Sequence, residues 1–283
     1  MLRCQYNWTQ VKQLQQRVEA ADHIALKLNW DTLLKRKENE DQLEFAIWDN
    51  KNMIAFLALY PFGDKMEVSG MVDPDYRRLG HATTLLKEAL TTIHNKGFSE
   101  ILLITPSKSS SGKAFVEASG GSFSFSEHQM KFLDKDAIKD ALPNQSCQIR
   151  EGKLEDREAV ISMNVLNFDC TREEAENWYD EQQQEEGSVL YVMETKQEIA
   201  GSLRVSTSQN ESLIYGFSIF PHLQGQGLGR RFLRYIVAQE AMQGREVLLE
   251  VAVTNDKAQH LYQACGFQSV HVQDYYRLDH HLL

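Results

Sequence analysis

Cysteine is scarce in this chain and its spacing is uninformative. Cys4, Cys147, Cys170 and Cys265 are scattered, with no CxxC pair. That argues against a disulfide framework or a cysteine-based zinc site, and for reduced thiols in a cytoplasmic protein. Long apolar runs are also missing: none approaches the roughly 18 residues of a membrane-spanning helix. The start, MLRCQYNWTQ, lacks the apolar stretch of a secretory signal. Basic charge is in deficit, with 30 Lys and Arg against 40 Asp and Glu and a formal net charge of −10. Binders of duplex nucleic acid are usually basic, so that partner is not expected. An acidic surface suits a cationic substrate such as an amine, although net charge is weak support for it. The nine histidines form no HxxxH or HExxH pattern, so no metal is expected. His280 and His281 read as surface residues, and His222 as a solvated turn residue.

What is present is a globular composition, 42% apolar and 25% charged, in 283 residues, enough for two domains. The stretch QGQGLGRR, Gln224 to Arg231, places glycines at alternate positions just before an apolar helical pattern. Glycine is unfavourable inside a helix, so this cluster implies a special backbone path or a close approach. The same pattern occurs earlier, in MVDPDYRRLGHATTLL. Pro74 and Pro221 stand 147 positions apart, as do Gly80 and Gly227, and Gly120 and Gly266 stand 146 apart. Spacing kept from Pro74 to Gly120 with one residue of slip points to a duplicated domain. The join is placed near Leu142–Ser146.

Each half alternates strand and helix signals. In the second, CQIREGKLEDREAV reads as strand then helix. SVLYVMET and EIAGSLRVST read as paired strands with a turn near Lys196, and SLIYGFSIF as an apolar strand. Arg230 to Gln243 is a predicted helix, with Phe232, Leu233, Ile236, Val237 and Ala241 at helical spacing and Gly244 as its stop. REVLLEVAVT is a β-branched strand with Val247, Leu249, Val251 and Val253 on one face. Ala258, Leu261, Tyr262 and Cys265 share one face of a following helix. FQSVHVQDYYRL closes as a strand. The class is α+β, each half a mixed, mainly antiparallel sheet flanked by helices, with one parallel crossover around the glycine turn.

A strand, a glycine turn and a helix start expose backbone N–H groups at the positive end of a helix, an arrangement that holds anions. The turn lacks the Gly-Lys-Ser/Thr of a Walker loop, and GxGxG is not the GxGxxG of a dinucleotide site. The residues beyond the turn carry a more specific signal. QGQGLG, then after a helix and a strand LEVAVTNDKAQHLYQACGF, resembles the GNAT superfamily of N-acetyltransferases. Gln224, Gly227 and Gly229 match its first signature; Asn255, Ala258, Leu261, Tyr262, Gly266 and Phe267 match its second. The resemblance covers about Cys147 to Leu278, and a weaker copy covers most of Met1 to Leu142. Tandem GNAT proteins, including mycothiol synthase, share this arrangement. Residues 1–142 would then be one GNAT-like domain and residues 147–283 a second.

The resemblance implies acetyl-CoA as cosubstrate and a primary amine of a small molecule or a peptide N-terminus as acceptor. Its pyrophosphate would lie on Gln224, Gly225, Gln226, Gly227, Leu228, Gly229 and Arg230. Its pantetheine arm would meet the backbone of Phe217, Ser218 and Ile219, whose side chains read as core. Asn255 would touch the cofactor or cap the next helix; capping is the commoner role of Asn there. Helical spacing alone makes Tyr262 a residue of a packed face, and the resemblance makes it the acid that protonates the leaving thiolate. Glu250 stands on the strand face opposite Val247 and Leu249, where burial would raise its pKa. The Leu-Glu-Val of ribosomal-protein N-terminal acetylases makes it the base. The alternatives are a glutamate on the solvent-facing side of the sheet, with Glu211 or a chain of waters as base.

The first copy keeps the turn, in Arg77, Arg78, Leu79, Gly80, His81 and Ala82, as a possible second CoA site. It does not keep the chemistry: Glu250, Asn255 and Tyr262 fall on Ile104, Ser109 and Val116. A catalytically silent copy is expected, holding CoA or shaping the acceptor cleft. PSKSSSGKAF, Pro106 to Phe115, reads as a solvated loop. Trp30–Glu40 and Thr171–Gly187 are candidate acceptor walls, or else ordinary charged helix surface. Two rivals remain: an inert CoA sensor or scaffold on the same frame, and a nucleotide-binding enzyme.

Overall fold

A computed structural model describes residues 8–36, 42–139, 147–208 and 210–278. Cys4, the Leu142–Ser146 join, His280, His281 and residues 37–40 of the Trp30–Glu40 segment lie outside the described residues. Two units divide the chain, residues 1–126 with 271–283 as unit 1 and residues 127–270 as unit 2.

Unit 1 runs α1 (Trp8–Asp22), α2 (Trp30–Lys35), β1 (Glu44–Asp49), β2 (Asn52–Phe62), β3 (Lys65–Val72), α3 (His81–Lys96), β4 (Glu100–Pro106) and α4 (Ser110–Ala118). The next strand, β5 (Gly121–Phe132), belongs to unit 1 up to Ser126 and to unit 2 from Glu127. Unit 2 continues with β6 (Cys147–Glu151), α5 (Arg157–Asn167), α6 (Arg172–Gln184), β7 (Ser188–Thr195), β8 (Ile199–Thr207) and β9 (Glu211–Ile219). It then adds α7 (Leu228–Met242), β10 (Glu246–Ala252) and α8 (Asp256–Ala264). The last strand, β11 (Phe267–Leu278), returns to unit 1 from His271 onward.

Strand order is β1-β2-β3-β4-β11 in unit 1 and β5-β10-β9-β8-β7-β6 in unit 2. Each sheet has one parallel pair, β3 with β4 and β9 with β10. Its other pairs are antiparallel, as α+β patterning requires. The strand beyond each parallel pair, β11 or β5, therefore comes from the other half of the sequence. Met130 and Phe132 of β5 join the unit 2 core, and Tyr276 and Leu278 of β11 join the unit 1 core.

The duplication is visible in the ladders. Lys65↔Glu100 through Val68↔Leu103 in unit 1 matches Glu211↔Glu246 through Ile214↔Leu249 in unit 2. Gly97 and Gly244 keep the 147 offset while Glu100 and Glu246 keep 146, so the slip lies in the helix-to-strand connection. One difference matters for function. Between β8 and β9, Ser202 faces Ser218 and Arg204 faces Tyr215, so Gly216 and Phe217 together oppose Leu203. Gly216 has φ 59°, which permits this bulge. The β2–β3 ladder runs unbroken.

In unit 2, α7 forms because Gly227, at φ 78°, turns the chain into the helix. Phe232, Leu233, Ile236 and Val237 then fall on one stripe, buried with Leu203, Val205, Ile214, Val247, Leu249 and Val251. Each such side chain contributes about 1.5–3 kcal/mol on burial. α5 and α6 supply Val160, Ile161, Met163, Ala175 and Tyr179 to a separate cluster with Leu190 and Val192. Those two residues alternate with Tyr191 and Met193, which belong to the α7 side, so α5 and α6 cover the opposite face.

Three sequence expectations change. The helix starts at Leu228, not Arg230, because Gly227 is already its cap. Val253 leaves the buried row because β10 ends at Ala252, and its side chain is exposed. Pro106–Phe115 is not a solvated loop: Pro106 ends β4, and α4 begins at Ser110. Ser109 is buried and caps that helix, accepting from Gly112 N at 3.1 Å, so the serine run reads as a helix start.

Candidate active site

The β9–β10 ladder closes at Ile214↔Leu249. Both strands continue past that point, β9 to Ile219 and β10 to Ala252. The pair therefore opens as a fork, and Tyr215 and Glu250 are the first positions beyond its ladder. Phe217, Ser218 and Ile219 form one arm. Phe217 packs on the core, while Ser218 and Ile219 are buried.

Above the fork lies the glycine turn. Gly225 and Gly227 hold φ of 77° and 78°, and a Cβ at either would meet nothing within 4 Å. Their conformation suits glycine, and the space beside them is open. Gly229 differs: its Cβ would touch Leu261, Phe217 and Ile219 at 3.5–3.6 Å. The first helix-closing bond runs from Arg231 N to Gly227 O. The amides of Leu228, Gly229 and Arg230 precede that ladder, at the positive end of α7. Gln224 and Gln226 fix the turn. Gln224 Nε2 donates to Ile219 O at 3.0 Å and to Asn167 Oδ1 at 3.1 Å. Gln226 Nε2 donates to His222 O at 3.5 Å. The His222 ring meets Glu198 Oε1 at 3.0 Å.

Tyr262, on α8, closes the fork from the side. It is buried, with its ring centroid 6.4 Å from Phe217 and 6.3 Å from Phe267. Burial, reinforced by Cys265, pushes its pKa up to about 12. Cys265 is itself pushed up to about 11 by burial, opposed by Arg230 and Arg234. Asn255 caps α8, its Oδ1 accepting from Ala258 N at 3.1 Å. Glu250 is half-buried on the face away from α7, as strand alternation predicts. Gln129 Nε2 donates to its Oε1 at 3.1 Å. Glu211 sits at the closed end of the ladder, opposite Glu246.

This geometry provides backbone donors for an anion, a cleft between parallel strands, a carboxylate at its base and a phenol at its side. The sequence model of the acetyltransferase (GNAT) family matches residues 8–117 and, a second time, residues 158–267. The chain belongs to that family. In sequence it is 39% identical over 66 residues to the N-alpha-acetyltransferase RimI of Mycobacterium tuberculosis (strain ATCC 25618 / H37Rv). That match spans 23% of this chain and 40% of the relative. In structure it resembles a GCN5-related N-acetyltransferase from Sphaerobacter thermophilus, with TM-score 0.75 and 17% identity over 95% of this chain and 91% of that one. It also resembles a tandem GNAT protein from the clavulanic acid biosynthesis pathway, with TM-score 0.69 and 16% identity over 98% and 96%.

The two GNAT copies are furnished differently. In unit 1, Gly80 caps α3 at φ 87°, and Arg78 takes the place of Gly225 with φ 64°. Leu79 beside it is exposed, and His81 and Ala82 begin the helix. Arg77 Nε donates to Val72 O at 3.3 Å, the counterpart of the Gln224 bond to Ile219. Its Nη1 and Nη2 grip both oxygens of Asp22 at 2.9 Å. Ile104 and Val116 are buried where unit 2 has Glu250 and Tyr262. Tyr275, paired with Ile104, stacks on Phe125 at 4.4 Å.

Sequence reasoning missed Gln129, because it lies in the first half while its partner lies in the second. It also passed over Arg204 and Tyr215, which share the Glu250 face. The signal for Arg204 was present: Ser202, Arg204 and Ser206 place polar groups at period two in an apolar strand. Among the described residues no group of His, Cys, Asp and Glu is placed to hold a metal ion. No described helix is long and apolar enough to cross a membrane.

Proposed function

We propose that unit 2 is an N-acetyltransferase site that uses acetyl-CoA and a primary amine, on a small molecule or a peptide N-terminus. The observation that carries this reading is the fork beyond Ile214↔Leu249, leading to open space beside Gly225 and Gly227. Those residues fit the cosubstrate: positive-φ glycines clear a path, and the amides of Leu228, Gly229 and Arg230 suit a pyrophosphate. The backbone of Phe217–Ile219 would pair with the pantetheine arm.

When bound, acetyl-CoA supplies an acyl thioester whose carbonyl carbon takes the lone pair of the amine. Glu250, directly or through water, takes the proton that an ammonium must lose. Gln129 holds the glutamate by its Oε1. Tyr262 gives its proton to the departing sulfur, and its raised pKa keeps the phenol protonated until then. The rings of Phe217 and Tyr262, with centroids 6.4 Å apart, would shield that sulfur from water. We assign the chemistry to the cytoplasm, where the free thiols of Cys147, Cys170 and Cys265 stay reduced.

For unit 1 a second reading is favoured, binding or shaping without transfer, because apolar Ile104 and Val116 replace the proton carriers. Both Nη atoms of Arg77, beside its turn, are also committed to Asp22.

The test is release of free CoA thiol from acetyl-CoA across a panel of amines and N-terminal peptides. Wild type should release thiol only with an acceptor. Tyr262→Phe should lower kcat by about 10²–10⁴-fold. Saturable CoA binding with no release for any acceptor would favour the inert sensor or scaffold instead.

A further inference from the structure

The fork face of unit 2 carries a buried charge for which acetyl transfer itself has no use. Arg204, in the middle of β8, is 3% exposed. Its Nη1 donates to Gln182 O at 3.1 Å, and its guanidinium carbon lies 5.7 Å from the centroid of the Tyr179 ring. Its Nη2 is buried and has no hydrogen-bond partner among the described residues. Glu185, the carboxylate of this cluster, is engaged elsewhere. It accepts from Ser206 Oγ at 3.1 Å and from Tyr215 Oη at 2.6 Å. A buried guanidinium with no carboxylate on its fork is strongly destabilising unless something completes it.

Its position says what that is. Arg204 faces Tyr215 across the β8–β9 ladder, and Tyr215 is the first β9 residue past the closed ladder, on the face shared with Glu250. Glu185 is exposed and is joined by its hydrogen bond to Tyr215, the residue that faces Arg204. The same ladder step in unit 1 is Ala58↔Ser69, both buried and uncharged. Only the unit with proton carriers has the arginine.

We infer that Arg204 recognises a carboxylate on the acceptor, so that the substrate class is a primary amine that also carries a carboxylate. This rests on the acetyltransferase reading of unit 2. A guanidinium fork matches the two oxygens of a carboxylate. A single guanidinium balances a monoanion better than a phosphate dianion.

The experiment is calorimetric titration of two series into the full chain saturated with CoA, which needs no turnover. One series is the ω-amino acids from glycine to 6-aminohexanoate; the other is their carboxamides. At least one acid should bind wild type about tenfold or more tighter than its amide, as for a lost charge-assisted bond of about 1.5–3 kcal/mol. Arg204→Gln should bind acid and amide alike, and Arg204→Lys should fall between. Equal binding of acid and amide by wild type, no binding of either series, or a preference surviving in Arg204→Gln would each overturn the inference. Should Arg204→Gln fail to fold by circular dichroism, the wild-type comparison decides alone. Thiol release with the same compounds separates the two claims. Acids that bind but accept no acetyl group sink the transferase reading and leave Arg204 its role. Transfer to amides as fast as to acids sinks the carboxylate and leaves the transferase.

Discussion

Gln129 donates to Glu250 Oε1 at 3.1 Å, from a strand that precedes the Leu142–Ser146 region to one that follows it. The two residues are register partners in the β5–β10 pair. Their counterparts in unit 1, Tyr275 and Ile104, are partners in β11–β4. The proposed base of the second half is thus held by the first half of the chain.

A fragment of residues 147–283 should therefore be a poor enzyme. It lacks Gln129 and also Met130 and Phe132, which fill the unit 2 core. Removing two such buried side chains forfeits several kcal/mol, comparable with the whole stability of a domain. Far-UV circular dichroism, thermal melting and thiol release should show an unstable, inactive fragment. A fragment with the melting temperature and rate of the full chain would show that the β5 segment is dispensable.

This exchange was not legible in the sequence, whereas most elements were. Helix α7 declares itself by Phe232, Leu233, Ile236 and Val237 at helical spacing after Gly227, and β10 by its alternation; both signals are local. FQSVHVQDYYRL shows strand pattern whichever sheet it joins, because pairing partners are chosen by contacts distant in sequence. The candidate site divides in the same way. Gly227 and Tyr262 belong to contiguous motifs, while Gln129 and Arg204 acquire meaning only when the register sets them beside Glu250 and Tyr215. The family resemblance set the pantetheine arm along Phe217–Ile219, but nothing in SLIYGFSIF states where pairing stops, although Gly216 inside it marks the bulge.

Matched glycine substitutions should separate the two turns. Gly80 and Gly227 share a positive φ and open surroundings, so alanine at either adds similar backbone strain, about 1–2 kcal/mol. Melting temperatures should fall by similar amounts. Gly227→Ala should also raise the KM for acetyl-CoA, while Gly80→Ala should leave turnover unchanged. Loss of transfer in Gly80→Ala, with a fall in melting temperature no larger than that of Gly227→Ala, would mean that unit 1 holds a working CoA site.

The pH profile tests the role of Tyr262. An acid must be protonated to act, and a group is protonated below its pKa. Burial pushes Tyr262 up to about 12, so kcat should show no alkaline fall assignable to it between pH 7 and about 10, the ordinary tyrosine value. An alkaline limb near pH 9 that disappears in Tyr262→Phe would mean that the phenol is far more acidic at work than burial implies.

Stability should depend on a pair away from the chemistry. Arg150 donates from Nη1 and Nη2 to both oxygens of buried Asp156, at 2.7 and 3.0 Å, where Asp156 also accepts from Lys153 N at 2.8 Å. The hydrogen bond from Arg150, against opposing desolvation, lowers the Asp156 pKa from its usual 3.8. A carboxylate with a depressed folded pKa contributes stability above its unfolded value and loses it as pH falls through the folded one. That contribution should therefore be complete at neutral pH, begin to decline near pH 4 and be gone only below the depressed folded pKa. Asp156→Asn leaves Arg150 with Glu194 as its one carboxylate partner among the described residues, at 2.9 Å, and should destabilise by about 3 kcal/mol at pH 7. The gap between variant and wild type should narrow as the pH approaches 3. Urea melts at both pH values give the comparison, and a gap that stayed constant would assign the loss to packing and not to the ion pair.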